Sequence, residues 1–337
     1  MSSSYKFTGQ EDGSEDFEAF HSRQKADKKP LQCSAKILSP EEGNGTVTEI
    51  FPNQSAVRLD GADRPVLCAY RMSTLAFGVE KRERSPVCVG ERVRVEAGVI
   101  IGRCERKNRL VRPAPNSRDP VLHVLAANLD VLVIVDAARN PDFCPGIVDR
   151  FLVAALAQKI RPILCINKSD LIEPGGERAW SFYGETGITI VETCAGSGLG
   201  IEELSALIEG KSAAFCGRSG VGKTSILRRL LKDENYGRIG AVNARSGKGR
   251  HTTSGAVMLI GPQGASLIDT PGVMNFGLID VKPAGLLEYF PELFAASARC
   301  PEGCTHEEEP ACRVRSLPRC ASYRSILSSL GDPSPRD

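Results

Sequence analysis

A chain of 337 residues is long enough for two or three domains, and 43 Lys/Arg against 41 Asp/Glu is too balanced for a bulk-charge nucleic-acid binder. The first thirty residues lack the apolar run of a signal peptide, and the run from Val121 to Val135 is broken by His123, Asn128 and Asp130. No stretch approaches the ~20 apolar residues of a membrane span, so a soluble, cytoplasmic protein without membrane contact is expected, its 12 cysteines reduced.

Residues 1–32 are polar and mixed in charge, as in Gln10-Glu11-Asp12-Gly13-Ser14-Glu15-Asp16, and are expected to form a disordered arm. From 33 to 115 the pattern becomes short alternating strands, at Thr46–Ile50, Ser55–Leu59 and Arg92–Glu96, separated by turns such as Asp60-Gly61. About five strands in this span suit an OB-fold barrel. Its Arg103, Arg106, Lys107, Arg109 and Arg112 fit a surface that follows a phosphate backbone, with Phe51, Tyr70 or Phe77 to stack on bases. An ordinary barrel with solvated arginines and core aromatics fits equally well.

Asn116–Pro120 reads as a linker. Beyond it strands and helices alternate: strand Val131–Val135, a helix from about Pro145 to Lys159, strand Pro162–Ile166, strand Gly187–Val191 and a helix near Ile201–Glu209. The class is α/β with a mainly parallel sheet.

The strand ending at Ile166 runs into Asn167-Lys168-Ser169-Asp170. A carboxylate at Asp170 accepts from guanine N1–H and the exocyclic amine, where adenine would present a repelled lone pair. Lys168 would cover the base and Asn167 brace neighbouring loops. Cys194-Ala195 follows the next strand, where GTPases usually place Ser-Ala. Cys in place of Ser is tolerable if the contact comes from backbone N–H groups.

Strand Ala213–Cys216 then leads into Gly217-Arg218-Ser219-Gly220-Val221-Gly222-Lys223-Thr224, followed by Ser225 and a helical pattern. This is the phosphate loop in its required strand–loop–helix context. Its backbone N–H groups and helix N-terminus would cradle a polyphosphate, with Lys223 on the β- and γ-phosphates and Thr224 on Mg²⁺. Downstream, Asp269-Thr270-Pro271-Gly272 ends another strand. Asp269 is expected on the Mg²⁺ side, Gly272 beside the γ-phosphate, and Thr252 or Thr253 closing on Mg²⁺. Together these motifs select GTP over ATP, yet the guanine-reading motifs precede the phosphate loop, an order that implies circular permutation.

Near the C-terminus, Cys300, Cys304, His306 and Cys312 are spaced Cys-x₃-Cys-x-His-x₅-Cys, which suits one closed tetrahedral Zn²⁺ site. Cys320 is a possible substitute ligand. The expected domains are therefore the arm at 1–32, an OB-fold barrel at 33–115, a permuted GTPase at 116–283 and a helical zinc-binding domain at 284–337.

With five motifs in this order across residues 33–325, the chain resembles the ribosome small-subunit-dependent GTPases, the RsgA/YjeQ family. The resemblance implies a cytoplasmic GTPase that binds the 30S subunit through 16S ribosomal RNA late in its assembly, slow alone and stimulated by the subunit. It also implies that the barrel binds RNA. The family's usual zinc spacing has one more residue between the first two cysteines. Val273 stands where many GTPases carry a water-orienting Gln; the family shares an apolar residue there, and its proposed catalytic histidine corresponds to His251. Arg250 or Lys248 offer alternative phosphate-side charge. A monomer is expected. The rival reading is an RNA-binding barrel and zinc module whose GTPase domain is a catalytically passive nucleotide sensor.

Overall fold

The computed structural model describes residues 37–70, 83, 85–113, 122–237, 256–270, 276–278, 280–306 and 309–331. The arm at 1–32, Phe77 and the linker at 116–120 lie outside these residues, as does the side chain of Tyr70. Strands β1 (Gly45–Phe51), β2 (Gln54–Leu59), β3 (Val66–Tyr70), β4 (Arg92–Glu96) and β5 (Val99–Arg103) carry inward-facing apolar residues. Val47, Val57, Cys68, Val93, Val95 and Ile100 meet in one core. β1 pairs with β2, β2 with β3, β3 with β5, β5 with β4, and β4 returns to β1. That closes a five-stranded barrel with OB-fold strand order, as the alternation predicts.

One ladder was not legible in the sequence. β6 (Arg109–Pro113) and β7 (Leu122–Ala127) pair antiparallel, joining residues on either side of the expected linker. The long apolar run from Val121 is therefore two strands, broken where Asn108 and Asn128 hold the intervening turn through their side chains.

Next come β8 (Val131–Ala137), α1 (Pro145–Ala157), β9 (Arg161–Asn167), α2 (Ser181–Glu185), β10 (Thr189–Glu192), α3 (Ile201–Leu207), β11 (Ser212–Cys216), α4 (Lys223–Leu231), β12 (Val257–Ile260) and β13 (Ser266–Asp269). The spatial order is β10-β9-β8-β11-β13-β12. The first five strands run parallel, and β12, not anticipated, runs antiparallel to β13 and pairs on its other side with β1 of the barrel. Val131, Val133, Val135, Ile163, Phe215 and Leu267 face α3 and α4. Their chain neighbours Leu132, Ile134, Leu164, Ile166 and Ile268 face α1. Burial on both faces explains why these strands read as unbroken apolar runs. The parallel strands all end on one edge, which is where open α/β sheets bind ligands.

The C-terminal segment packs α5 (Pro291–Ser297) and α6 (Cys320–Gly331) around Leu286, Phe290, Leu293, Val314 and Tyr323, against Val153 of α1. The junction turns on Arg319, only 1% exposed. Its Nε donates to Asp149 Oδ1 at 2.7 Å and its Nη1 to Glu292 at 3.2 Å. The guanidinium lies over the rings of Phe290 and Tyr183, 4.5 and 5.1 Å from their centroids. Burial raises the Asp149 carboxyl above its ordinary value, and Arg319 opposes that rise. Removing one partner of such a buried pair costs about 3–5 kcal/mol, whereas replacing both by apolar side chains is often neutral. Arg319→Ala should therefore lower the urea unfolding midpoint strongly, and Asp149→Leu/Arg319→Met should recover most of the loss.

Candidate functional site

β11 delivers the phosphate loop to the ligand-binding edge of the sheet. Gly217 has φ +143°, and a Cβ there would collide with the Val135 carbonyl. Gly222 has φ +96°, and its missing Cβ leaves room for the Asn167 amide. Only glycine meets both demands. Lys223 opens α4 and folds back over the loop, its Nζ donating to the carbonyls of Gly217 (2.6 Å) and Arg218 (3.0 Å). Burial lowers the Lys223 pKa, and Asp269 is among the neighbours that oppose the shift. Ser219, Gly220 and Ser225 are exposed, while Thr224 is half-buried at the helix start and Val221 fully buried below it.

Asn167, 54 residues before Val221, closes on this loop. Its Nδ2 donates to the Val221 carbonyl at 2.9 Å. Its Oδ1 accepts from the Thr193 hydroxyl (3.2 Å) and from the Ala195 N–H (3.1 Å). The bracing expected of Asn167 is thus observed, and it joins three loops. Lys168 adopts a left-handed conformation at φ 59°, and its ammonium donates to the Asn140 carbonyl. Asp170 is exposed in the short turn Ser169–Leu171. The backbone donors considered at Cys194 and Ala195 already have protein acceptors, Leu199 O and Asn167 Oδ1.

Asp269 ends β13 next to β11, in register with Phe215. Burial raises its carboxyl pKa, opposed by a 2.7 Å hydrogen bond from the Tyr236 hydroxyl and by the Lys223 charge. The other expected residues of this region, His251, Thr252, Thr253 and Gly272, lie outside the described residues, as do Lys248, Arg250 and Val273.

Four functional-edge residues were missed from sequence. Asp136, at the end of β8, accepts from Arg218 Nη2 (2.7 Å), from the Ala137 N–H (2.9 Å) and from the Cys144 N–H just before α1 (3.0 Å). An acid closing the apolar run Val131–Val135 was the available signal. Arg229 holds the 195–196 loop by its carbonyls. Tyr236 and Arg319 carry no local signal, because their partners lie 33 and 170 residues away.

The basic surface suggested at 103–112 needs correction. Arg103 and Arg106 are almost fully buried, paired with Glu83 and Glu91. Arg109 also reaches Glu83, Lys107 pairs with Asp130, and Arg112 contacts His123. Five positive charges in ten residues look like a patch, but four of them answer carboxylates and the two most buried serve the barrel's base.

The thiol cluster forms as spaced. Single donor atoms from Cys300, Cys304, His306 and Cys312 all lie within 4.8 Å of one another. A tetrahedron with metal–sulfur bonds of about 2.3 Å has edges of about 3.8 Å, so the shorter first spacing still closes. His306 turns Nδ1 toward both Cys304 Sγ and Cys312 Sγ at 3.4 and 3.5 Å. Burial and the neighbouring Cys312 and Glu309 push the Cys304 thiol up to about 11, a repulsion between anions that a bound cation would remove. Burial works against the Cys300 thiolate too, but N–H groups of Arg313 and Val314 outweigh it and hold its pKa below the usual thiol value. Cys320 is not in the group; it is buried at the start of α6 among Val314, Tyr323 and Ile326. Three thiolates and one imidazole suit Zn²⁺, whose role here would be to hold the segment folded.

A family model described as RsgA GTPase matches residues 103–279. The chain is 38% identical over 250 residues to the small ribosomal subunit biogenesis GTPase RsgA of Pseudomonas fluorescens, covering 70% of this chain and 71% of that protein. It is 35% identical over 316 residues to the protein of the same name from Azotobacter vinelandii, covering 88% of each. Among solved structures, YjeQ from Thermotoga maritima superposes with a TM-score of 0.63 at 27% identity, covering 87% of this chain and 99% of that one. YloQ, described as a circularly permuted GTPase, gives 0.59 at 24% identity over 88% of this chain and 97% of its own, a likeness of fold.

Protein purified without chelator should contain about one zinc per chain. Cys304→Ser should lose it and lower the thermal stability of the C-terminal segment. Full stability of a metal-free preparation would exclude a structural site.

Proposed function

Because the chain belongs to the RsgA GTPase family, we propose that it is a GTPase of small-ribosomal-subunit biogenesis, coupling GTP hydrolysis to late maturation of the 30S subunit. The observation that carries the nucleotide assignment is the Asn167 amide, which joins the Asn-Lys-Ser-Asp turn, the 193–195 loop and the phosphate loop. Residues from opposite ends of a permuted order thereby surround one pocket. In this reading Asp170 selects guanine, Lys168 covers the base, and Cys194 and Ala195 line it. Residues 217–225 wrap the phosphates, with Lys223 drawn from its loop carbonyls onto the β- and γ-oxygens. Thr224 and Asp269 hold Mg²⁺, joined by Thr252 or Thr253, and Gly272 reports the γ-phosphate. The ion, bound with GTP, neutralises charge on the β- and γ-phosphates.

Hydrolysis needs a group to orient water, and Val273 has no polar atom to do it. His251 takes that role only on the ribosome, which keeps the free protein slow. The barrel at 33–115 and the zinc module at 284–337 flank the GTPase portion at 116–283 and bind 16S ribosomal RNA. Support for that surface is the barrel fold and the relatives' names, since the basic residues at 103–112 are largely engaged with carboxylates. The protein acts as a cytoplasmic monomer.

GTP turnover should be slow alone and rise with purified 30S subunits but not with 50S subunits. His251→Ala should keep nucleotide affinity and lose the stimulation; stimulated turnover near wild type would exclude His251. Asp170→Asn removes an acceptor at the base edge, a change of about 1–3 kcal/mol in discrimination. GTP affinity should fall roughly 5- to 150-fold, measured by competition against a fluorescent GDP.

A further inference from the structure

Tyr236 does something the motifs do not require. α4 ends at Lys232 in a left-handed conformation with φ 51°. The chain then reverses: Asp233 N–H donates to Arg228 O, and Tyr236 N–H to Asp233 O. Arg228 Nε clamps the turn by donating to the Tyr236 carbonyl at 2.6 Å. The reversal sends the Tyr236 ring against the core between α4 and the sheet. Its hydroxyl reaches Asp269 Oδ2 at 2.7 Å. The following Gly237, at φ +71°, lies so close to Thr224 that a Cβ would strike its methyl group. Two consecutive residues therefore touch both side chains assigned to magnesium on the chain's described portion.

We propose that Tyr236 is a positioning residue for the magnesium carboxylate. A carboxylate at a strand end turns about its last torsion, and each orientation presents different lone pairs to an ion. With Oδ2 engaged by a phenol, Asp269 is held in one orientation, which fixes the lone pairs it can offer an ion. The phenol is suited to this because it supplies one donor without adding a charge. Arg228 fixes the backbone of the same turn, which holds the hydroxyl in place. Outer partners of this kind typically change metal affinity 10- to 100-fold when removed. Since 238–255 carries His251, Thr252 and Thr253, the turn also sets where that segment leaves the metal side of the pocket.

This inference rests on reading Thr224 and Asp269 as the magnesium residues. The test is the rate of fluorescent GDP release as Mg²⁺ is raised from EDTA conditions, for wild type and Tyr236→Phe, which keeps the ring and removes only the hydroxyl. Tyr236→Phe should need about 10-fold more Mg²⁺ to reach half of the slowing, with GDP affinity in EDTA and thermal midpoint equal to wild type. An unchanged or lowered Mg²⁺ requirement would overturn the inference, the lowered case showing that the hydroxyl competes with the ion. Weakened GDP binding in EDTA would overturn it as well, by showing a role in packing. If wild-type release ignores Mg²⁺, the magnesium assignment itself fails and this inference with it, a result distinct from the variant-specific ones.

Discussion

The candidate pocket depends on one buried amide. Asn167 presents a donor and an acceptor in fixed directions, and both are consumed by loops from other strands. An apolar residue at this position would leave the Val221 carbonyl, the Thr193 hydroxyl and the Ala195 N–H without their shared partner, and unsatisfied buried polar groups cost about 1–3 kcal/mol each. β8 lies between β9 and β11 in the sheet; Asn167 pairs with Ala137 and Cys216 with Ile134, so β9 runs past the end of β11 and its last residue meets the loop that leaves β11. Gly222 completes the arrangement from the other side, since any side chain there would occupy the space of the Asn167 amide.

From this edge, α1 carries a continuous set of contacts to the C-terminal segment. The Asp136 carboxylate joins Arg218 of the phosphate loop to the Cys144 N–H that precedes the helix. One turn into the helix, Asp149 binds Arg319, which in turn holds Glu292 and lies against Phe290. Phe276 packs on Phe151 of the same helix at 5.0 Å between centroids. The helix is thus tied through Asp136 to the phosphate loop and touches the segment after Asp269 and the module that bears the thiol cluster. These are packing and hydrogen-bond contacts of one conformation; their shared element is a rigid rod of 13 residues.

Much of this was legible because the informative patterns are local. The phosphate loop, the Asn-Lys-Ser-Asp turn and the cysteine spacing each fit within thirteen residues, and their chemistry is set by that spacing. The barrel was legible from alternation, and the sheet from unbroken apolar runs. What stayed hidden depends on long-range partners. Arg103 and Arg106 read as solvated bases until Glu83 and Glu91 close on them. β12 is a four-residue strand between segments with stronger signals, and β7 merged with β8 because only a short asparagine-held turn divides them. Tyr236 looks like any loop tyrosine until its hydroxyl is found on Asp269.

The permuted order has a geometric consequence for how the parts attach. In the sheet, β8 sits between β9 and β11, so the chain enters through a central strand and leaves from β13, on the far side of β11. Its entry comes directly from the β6–β7 ladder, and its exit runs through residues 276–278. These two points meet: the Gly277 N–H donates to the Val111 carbonyl of β6 at 2.9 Å. Phe276 is buried beside that bond and Leu278 packs against the C-terminal core. A GTPase with its strands in ordinary order would lead from this turn, through a crossover, into another strand of its own parallel sheet. Here the residues following Asp269 lead instead to the thiol-bearing module and touch the ladder that follows the barrel. Opening the chain at this point places the barrel's ladder and the thiol-bearing segment one short stretch from the end of β13, without requiring any longer connection through the sheet.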